Sequence, residues 1–215
     1  MGFGSQADVS EVYPDMPDQV AKIAAAPEIR SAFNWFRAQE PQLAHWQMEM
    51  ARIAAPPFGE SARGEWLAEK FRELGLDDVR IDDVGNVFGV HPGYGKRYVA
   101  LSAHIDTVFP AGTPLNVRQQ GSKIFGPGVS DNGAGVTAML AIVAMLRSVR
   151  VRHAMPFLFI GNVGEEGEGD LRGMRHDCGR GIGQPPIRSD RARTGRALVE
   201  RFWSAESNCD PGADD

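Results

Sequence analysis

Cysteine is almost missing from this chain: Cys178 and Cys209, both late, are the only two among 215 residues. Two late thiols cannot build a disulfide framework, and their scarcity fits a reducing cytoplasm. Long apolar runs are missing too. None approaches the roughly 20 residues that a membrane-spanning helix needs. Basic charge is in short supply, with 23 Lys and Arg against 28 Asp and Glu and a formal net charge of -5. That balance argues against nucleic acid or an anionic membrane as a main partner, since either wants a basic patch. The first 17 residues carry Asp8, Glu11 and Asp15 and no basic n-region, so they do not read as a secretory signal. There is no internal repeat. What is present is 42% hydrophobic, enough for one sizeable core and a smaller appendage.

Taken in order, residues 1–27 form a polar, proline-bearing lead with one helix expected over 20–26. Two helices are expected at 28–39 and 42–54, separated by Pro41, the second with Leu43, Trp46, Met50 and Ile53 on one core-facing stripe. Pro56-Pro57-Phe58-Gly59 breaks it. Ser61 is placed to cap a helix carrying Trp66, Leu67, Phe71 and Leu74, which Gly75 ends. Strands are expected at 79–81 and 86–90 around a turn at 83–85, another leads from Tyr98 to Ala103, and residues 116–125 read as a hairpin turning at Gly121-Ser122.

The stretch 100–175 organises the rest. Leu101–Ala103 and Pro156–Ile160 are short apolar runs bounded by polar residues or glycine, the signature of buried strands. Between them Val136, Met139, Leu140 and Val143 recur at helical spacing, predicting a buried helix over 134–146. Strand, helix, strand implies a parallel crossover. His104 and the Glu165-Glu166 pair then fall just past the C-terminal ends of neighbouring strands, and Asp131 at the entrance to the helix between them. In open α/β sheets that edge is where ligands bind.

Each cluster taken alone has a bland explanation. His104-x-Asp106 is a weak motif, although past a strand end His104 can turn one ring nitrogen to a metal while Asp106 accepts from the other. Asp131 alone reads best as a helix cap. Gly126 to Gly135 is glycine-rich, but it lacks the lysine and hydroxyl pair of a phosphate loop, and an acid at its centre repels phosphate. Glu165 and Glu166 alone read as a solvated acidic loop, though two adjacent carboxylates after an apolar run are costly without a positive charge. Their joint order, each at a strand end or helix start, is hard to reach by chance.

At these residues the chain resembles the co-catalytic zinc metallopeptidases that include glutamate carboxypeptidase, acetylornithine deacetylase, succinyl-diaminopimelate desuccinylase and tripeptide aminopeptidase (peptidase T). The matching text is Ser102-Ala-His-Ile-Asp-Thr-Val-Phe-Pro110, Gly126-Pro-Gly-Val-Ser-Asp-Asn-Gly-Ala-Gly135 and Val163-Gly-Glu-Glu-Gly-Glu-Gly-Asp-Leu-Arg-Gly173, with Ala55-Pro-Pro-Phe-Gly-Glu60 and Asp83-Val-Gly-Asn-Val87 before them. Gly133 departs from it, standing where many members carry lysine. The resemblance implies an α/β fold with a mostly parallel, mixed sheet between flanking helices, its strands at 98–103 and 157–162 central. It implies two zinc ions, with cobalt or manganese as substitutes: His104 on one, Glu166 on the other, Asp131 bridging both. Asp106 would orient His104 and Glu165 would be the general base. The expected activity is hydrolysis of an amide bond in a short peptide, with deacylation of an N-acyl amino acid as the alternative.

After His176 the text changes. Arg188, Arg191, Arg193, Arg196 and Arg201 crowd together without lysine, and Asp210-Pro-Gly-Ala-Asp-Asp closes the chain. The expected organisation is a helical lead at 1–40, a partial catalytic domain at 41–176, and a disordered or frameshifted tail at 177–215 with one short helix over 197–203. The later zinc ligands and the dimerisation domain of the family fall outside such a chain, which makes an impaired fragment the rival to an active enzyme.

Overall fold

The computed structural model describes residues 16–95, 97–149 and 153–180. Two compact units divide the chain, Met1–Glu40 and Pro41–Asp215. The first holds helices α1 (Met16–Ala25) and α2 (Pro27–Ala38). Helix α1 starts earlier than residue 20, and the residue between it and α2 is Ala26 rather than Pro27. Pro27 opens α2, where a missing N–H has no intrahelical partner to lose. The same physics corrects the break expected at Pro41. Helix α3 (Glu40–Ala51) begins before that proline and carries it in the first turn, so the interruption falls at Gln39.

In the second unit α4 (Ser61–Glu73) precedes strands β1 (Asp77–Ile81), β2 (Val87–His91) and β3 (Val99–His104). Gly75 ends the helix segment with φ +67, a conformation that side chains disfavour. Ser61 is the first helical residue and not the cap. Glu60 holds the cap position without capping, because its carboxylate is engaged by Arg172. A separate hairpin pairs β4 (Arg118–Gln120) with β5 (Lys123–Phe125) around Gly121-Ser122. Helix α5 (Gly133–Val149), strand β6 (Phe157–Asn162), a 3-10 turn at Gly167–Gly169 and helix α6 (Arg172–Arg180) follow. The short helix expected over 197–203 lies outside the described residues.

The main sheet runs β1-β2-β6-β3. β3 and β6 are parallel, from Val99 opposite Phe157 to His104 opposite Asn162, as the strand–helix–strand order requires. The two other pairings, β1 with β2 and β2 with β6, are antiparallel. The sheet is therefore mixed, with its parallel pair at the β3 end. β6 is interior and buried, but β3 is an edge strand among the described residues, as β1 is at the other end, against the expectation that β3 and β6 would both be central. The β3 side chains show it: Ala100 and Ser102 are exposed.

One apolar cluster joins Leu67 and Phe71 of α4, Val136 and Leu140 of α5, Val87 of β2 and Phe159 of β6. The opposite sheet face carries a smaller cluster of Phe88, Leu158 and Ile160. Helical cover is thus described on one face, not on both. Among the described residues no helix is long and apolar enough to cross a membrane.

Candidate metal centre

His104 ends β3, and the chain beyond it is held from three sides. Ile105 N–H donates to Asn162 O at 2.9 Å, and Thr107 N–H donates to Ala55 O at 2.9 Å. Arg63, 1% exposed, donates to Ile105 O at 2.8 Å and to Ile53 O. Burial lowers the Arg63 pKa to about 10 although the Asp106 charge opposes it. A cation this deep is a structural pin for the strand end, and nothing in the local sequence marked it as one.

Asp131 reaches the same place from the loop before α5. The helix cap, the bland reading of Asp131 taken alone, belongs instead to Asn132, whose Oδ1 accepts from Gly135 N–H at 3.1 Å. Asp131 is released from that duty. Its Oδ1 lies 3.0 Å from His104 Nε2. Gln47 Nε2 donates to Val129 O at 2.6 Å and steadies the loop. Gly133 also has its reason here. A Cβ at that position would stand 2.6 Å from Gly128 O, so a lysine does not fit this backbone.

The glutamate pair follows β6 directly. Asp106 is fully buried and receives Glu165 N–H on Oδ1 at 3.1 Å and Glu166 N–H on Oδ2 at 2.8 Å. Its Oδ1 also faces His104 Nδ1 at 3.6 Å, too long for a firm hydrogen bond but close enough to orient the ring by charge. One carboxylate therefore sets both the imidazole and the loop that carries the two glutamates. Glu165 Oε2 lies 3.9 Å from His104 Nε2 with its side chain 41% exposed.

His104, Asp131 and Glu166 each offer one ligand atom, and these lie within 4.8 Å of one another. Glu165 is not in that group. Burial alone would lower the His104 pKa, but Asp106, Glu165 and Asp131 together carry it up to about 8. Burial and then the charges of Asp131 and Glu165 raise Glu166. Asp106 is pulled up by burial, yet the facing imidazole and the two amides outweigh it and hold its carboxyl below the usual range. Three carboxylates crowd one imidazole, and the crowding is relieved by a cation. An imidazole nitrogen with two carboxylates is a donor set that suits zinc, so the residues fit the metal that the sequence resemblance implies.

Sequence reasoning missed two further features. Arg172 Nη2 donates to Glu60 at 2.7 Å and its guanidinium lies 4.6 Å from the Phe58 ring, tying the loop before α4 to the start of α6. A second cluster of Asp82, His176 and Asp177 also brings ligand atoms within 4.8 Å of one another. Burial, then the Asp82 charge, push the Asp177 carboxyl up to about 6. Sequence reasoning assigns Asp82 no role, and takes Asp83 as a turn residue and as part of the text carrying the resemblance.

Comparison with known proteins places the chain beside peptidases. Residues 100–195 match the model of peptidase family M20/M25/M40, a stretch that contains all five predicted site residues and continues past His176. Carboxypeptidase G2 from Pseudomonas sp. is 29% identical over 115 residues, covering 50% of this chain and 28% of the relative. The uncharacterised Escherichia coli protein YgeY is 30% identical over 124 residues, covering 55% of this chain and 30% of the relative. Among solved structures, aminopeptidase PepT from Bacillus cereus superposes with a TM-score of 0.53 at 25% identity, over 60% of this chain and 37% of PepT. The chain spans only about a third of the length of these proteins.

Proposed function

Taking residues 100–195 as a segment of peptidase family M20/M25/M40, we propose that this chain carries part of a zinc-dependent exopeptidase site that hydrolyses an amide bond in short peptides. The observation that carries the reading is the convergence of His104, Asp131 and Glu166 within 4.8 Å, with the Glu165 carboxylate outside that group and 3.9 Å from His104 Nε2. His104 through Nε2, Asp131 and Glu166 would hold the metal. Zinc, when bound, polarises a carbonyl and makes a water nucleophilic near neutral pH.

Glu165 is the general base. It lies on the exposed side of the cluster, where it can take a proton from the attacking water and pass it to the leaving amine. Asp106 positions His104 and fixes the backbone of both glutamates, so ligand and base keep their spacing. PepT is named as an aminopeptidase, and carboxypeptidase G2 as a carboxypeptidase. A peptide substrate for this chain follows from that likeness, with an N-acyl amino acid as the alternative. The deciding assay is hydrolysis of a tripeptide and of an N-acyl amino acid by the purified chain with added zinc, cobalt or manganese. Cleavage of the tripeptide alone supports the exopeptidase reading, and cleavage of the acyl amino acid alone replaces it by a deacylase.

One observation favours a second reading, an impaired fragment. The two zinc ions that the resemblance implies take three protein ligands each, and this cluster offers only three residues between them among the described residues. No turnover of either substrate by chain that has bound metal would establish it.

A further inference from the structure

We propose that Asp82, His176 and Asp177 form a second divalent-cation site, sharing no residue with the first, whose donor set matches zinc. Asp82 lies in the β1–β2 turn and the other two on α6. Asp82 Oδ1 is fully engaged, accepting N–H groups from Val84, Gly85 and Asn86 at 3.1, 2.9 and 2.8 Å. Its Oδ2 is thereby fixed towards His176 Nδ1, 3.5 Å away, and Asp177 Oδ1 stands 3.9 Å from the same nitrogen. These gaps are too long for hydrogen bonds. They are close to the edge of a tetrahedron of ligands at roughly 2.0–2.2 Å from zinc, which is about 3.3–3.6 Å.

The polar bookkeeping of the cluster is incomplete in the same direction. Asn86 Nδ2 faces three acceptors, Asp82 Oδ2 at 3.2 Å, Asp177 Oδ1 at 3.2 Å and Gly173 O at 3.1 Å, with two hydrogens to give. Asp177 is 3% exposed, and its Oδ2 is buried with no hydrogen-bond partner. Both ring nitrogens of His176 also lack a hydrogen bond. A buried carboxylate oxygen left this way is expensive unless a cation meets it. Arg80, stacked 4.4 Å from the Phe88 ring, adds positive charge nearby but no ligand atom. On the far side of the imidazole, Asp83 Oδ1 lies 3.1 Å from Nε2. A carboxylate behind a histidine orients the opposite nitrogen towards metal, and Asp106 stands behind His104 in the same relation. A cation here would tie the β1–β2 turn to α6.

The test uses the full 215-residue chain. A triple variant, His104→Gln with Asp131→Asn and Glu166→Gln, silences the first cluster. It is dialysed against zinc and its metal content measured. The expected result is one retained equivalent, with affinity at least about tenfold weaker when Asp177→Asn is added. In parallel, ring-nitrogen NMR of the unaltered chain reads His176 and His104 separately, so a fold defect in the variant does not blur the answer. Zinc should shift His176 Nδ1. Unmoved His176 signals in the unaltered chain overturn the second site whatever His104 does, and an unmoved His104 beside a shifted His176 would sink the first site alone.

Discussion

Two imidazoles in this molecule are built alike and supported differently. His104 and His176 each face carboxylates on one nitrogen and a single carboxylate on the other. Behind His104 stands Asp106, wholly buried and gripped by two backbone amides. Behind His176 stands Asp83, with 63% of its side chain exposed. Solvent screens the second arrangement and leaves the first at nearly full strength. The donor groups are thus similar in kind, while between the two clusters only the His104 side has a buried scaffold that holds its groups at fixed spacing. Preorganisation, more than ligand type, separates a centre fit for proton transfer from one fit for binding.

The sharpest way to break that contrast is Glu165→Ala. In chain that turns over peptide it should lower kcat by roughly 10²–10⁴-fold, the usual worth of a general base, with metal content unchanged. Glu166→Ala should instead lose metal, and the opposite pairing of results would exchange the two roles. Next comes the pin under the strand end. Arg63→Met strands the Ile53 and Ile105 carbonyls and should cost about 3 kcal/mol in urea unfolding, since each orphaned buried acceptor costs about 1–3 kcal/mol. A loss below about 1 kcal/mol would mean that the strand end holds itself.

Asp106→Asn should weaken zinc binding by roughly 10–100-fold, as changes behind a metal ligand do. Because an amide has one acceptor oxygen for two N–H groups, this variant should also loosen the Glu165-Glu166 loop, seen as faster hydrogen exchange at those amides. Unaltered exchange there would confine Asp106 to the imidazole. The smallest effect is expected from Asp83→Asn, no more than about threefold on zinc binding by the second cluster, because the interaction is largely exposed. A loss as large as that of Asp106→Asn would erase the distinction between the two supports.

Most of the elements were legible from local pattern. The apolar run at 157–160, the helical spacing from Val136 to Val143 and the hairpin at Gly121-Ser122 all appear where the periodicity put them. The errors fell where local signals are ambiguous by nature. A proline both breaks helices and opens them, so Pro41 was misplaced relative to α3. Whether β3 is central or at an edge depends on which strands lie beside it, and no short apolar run carries that information. The β1–β2 turn was foreseen, but its acids were not foreseen to meet α6, because 94 residues separate Asp82 from His176 (176 − 82).

By itself the sequence determined which residue types stand at the ends of β3 and β6 and at the entrance to α5, and in what order. Side-chain chemistry and glycine spacing are local properties, so His104, Asp131, Glu165 and Glu166 could be named without coordinates. Only the tertiary structure decided which neighbours those groups meet. Asn132 takes the cap and frees Asp131, Asp106 holds two amides as well as facing a ring, Glu166 comes within 4.8 Å of His104 and Asp131 in a group that Glu165 stays out of, and Arg63 locks the strand end from within the core. Each assignment depends on which partner lies within about 3–4 Å after folding, and the distances over which hydrogen bonds and buried charges act are too short to be read from position along a chain.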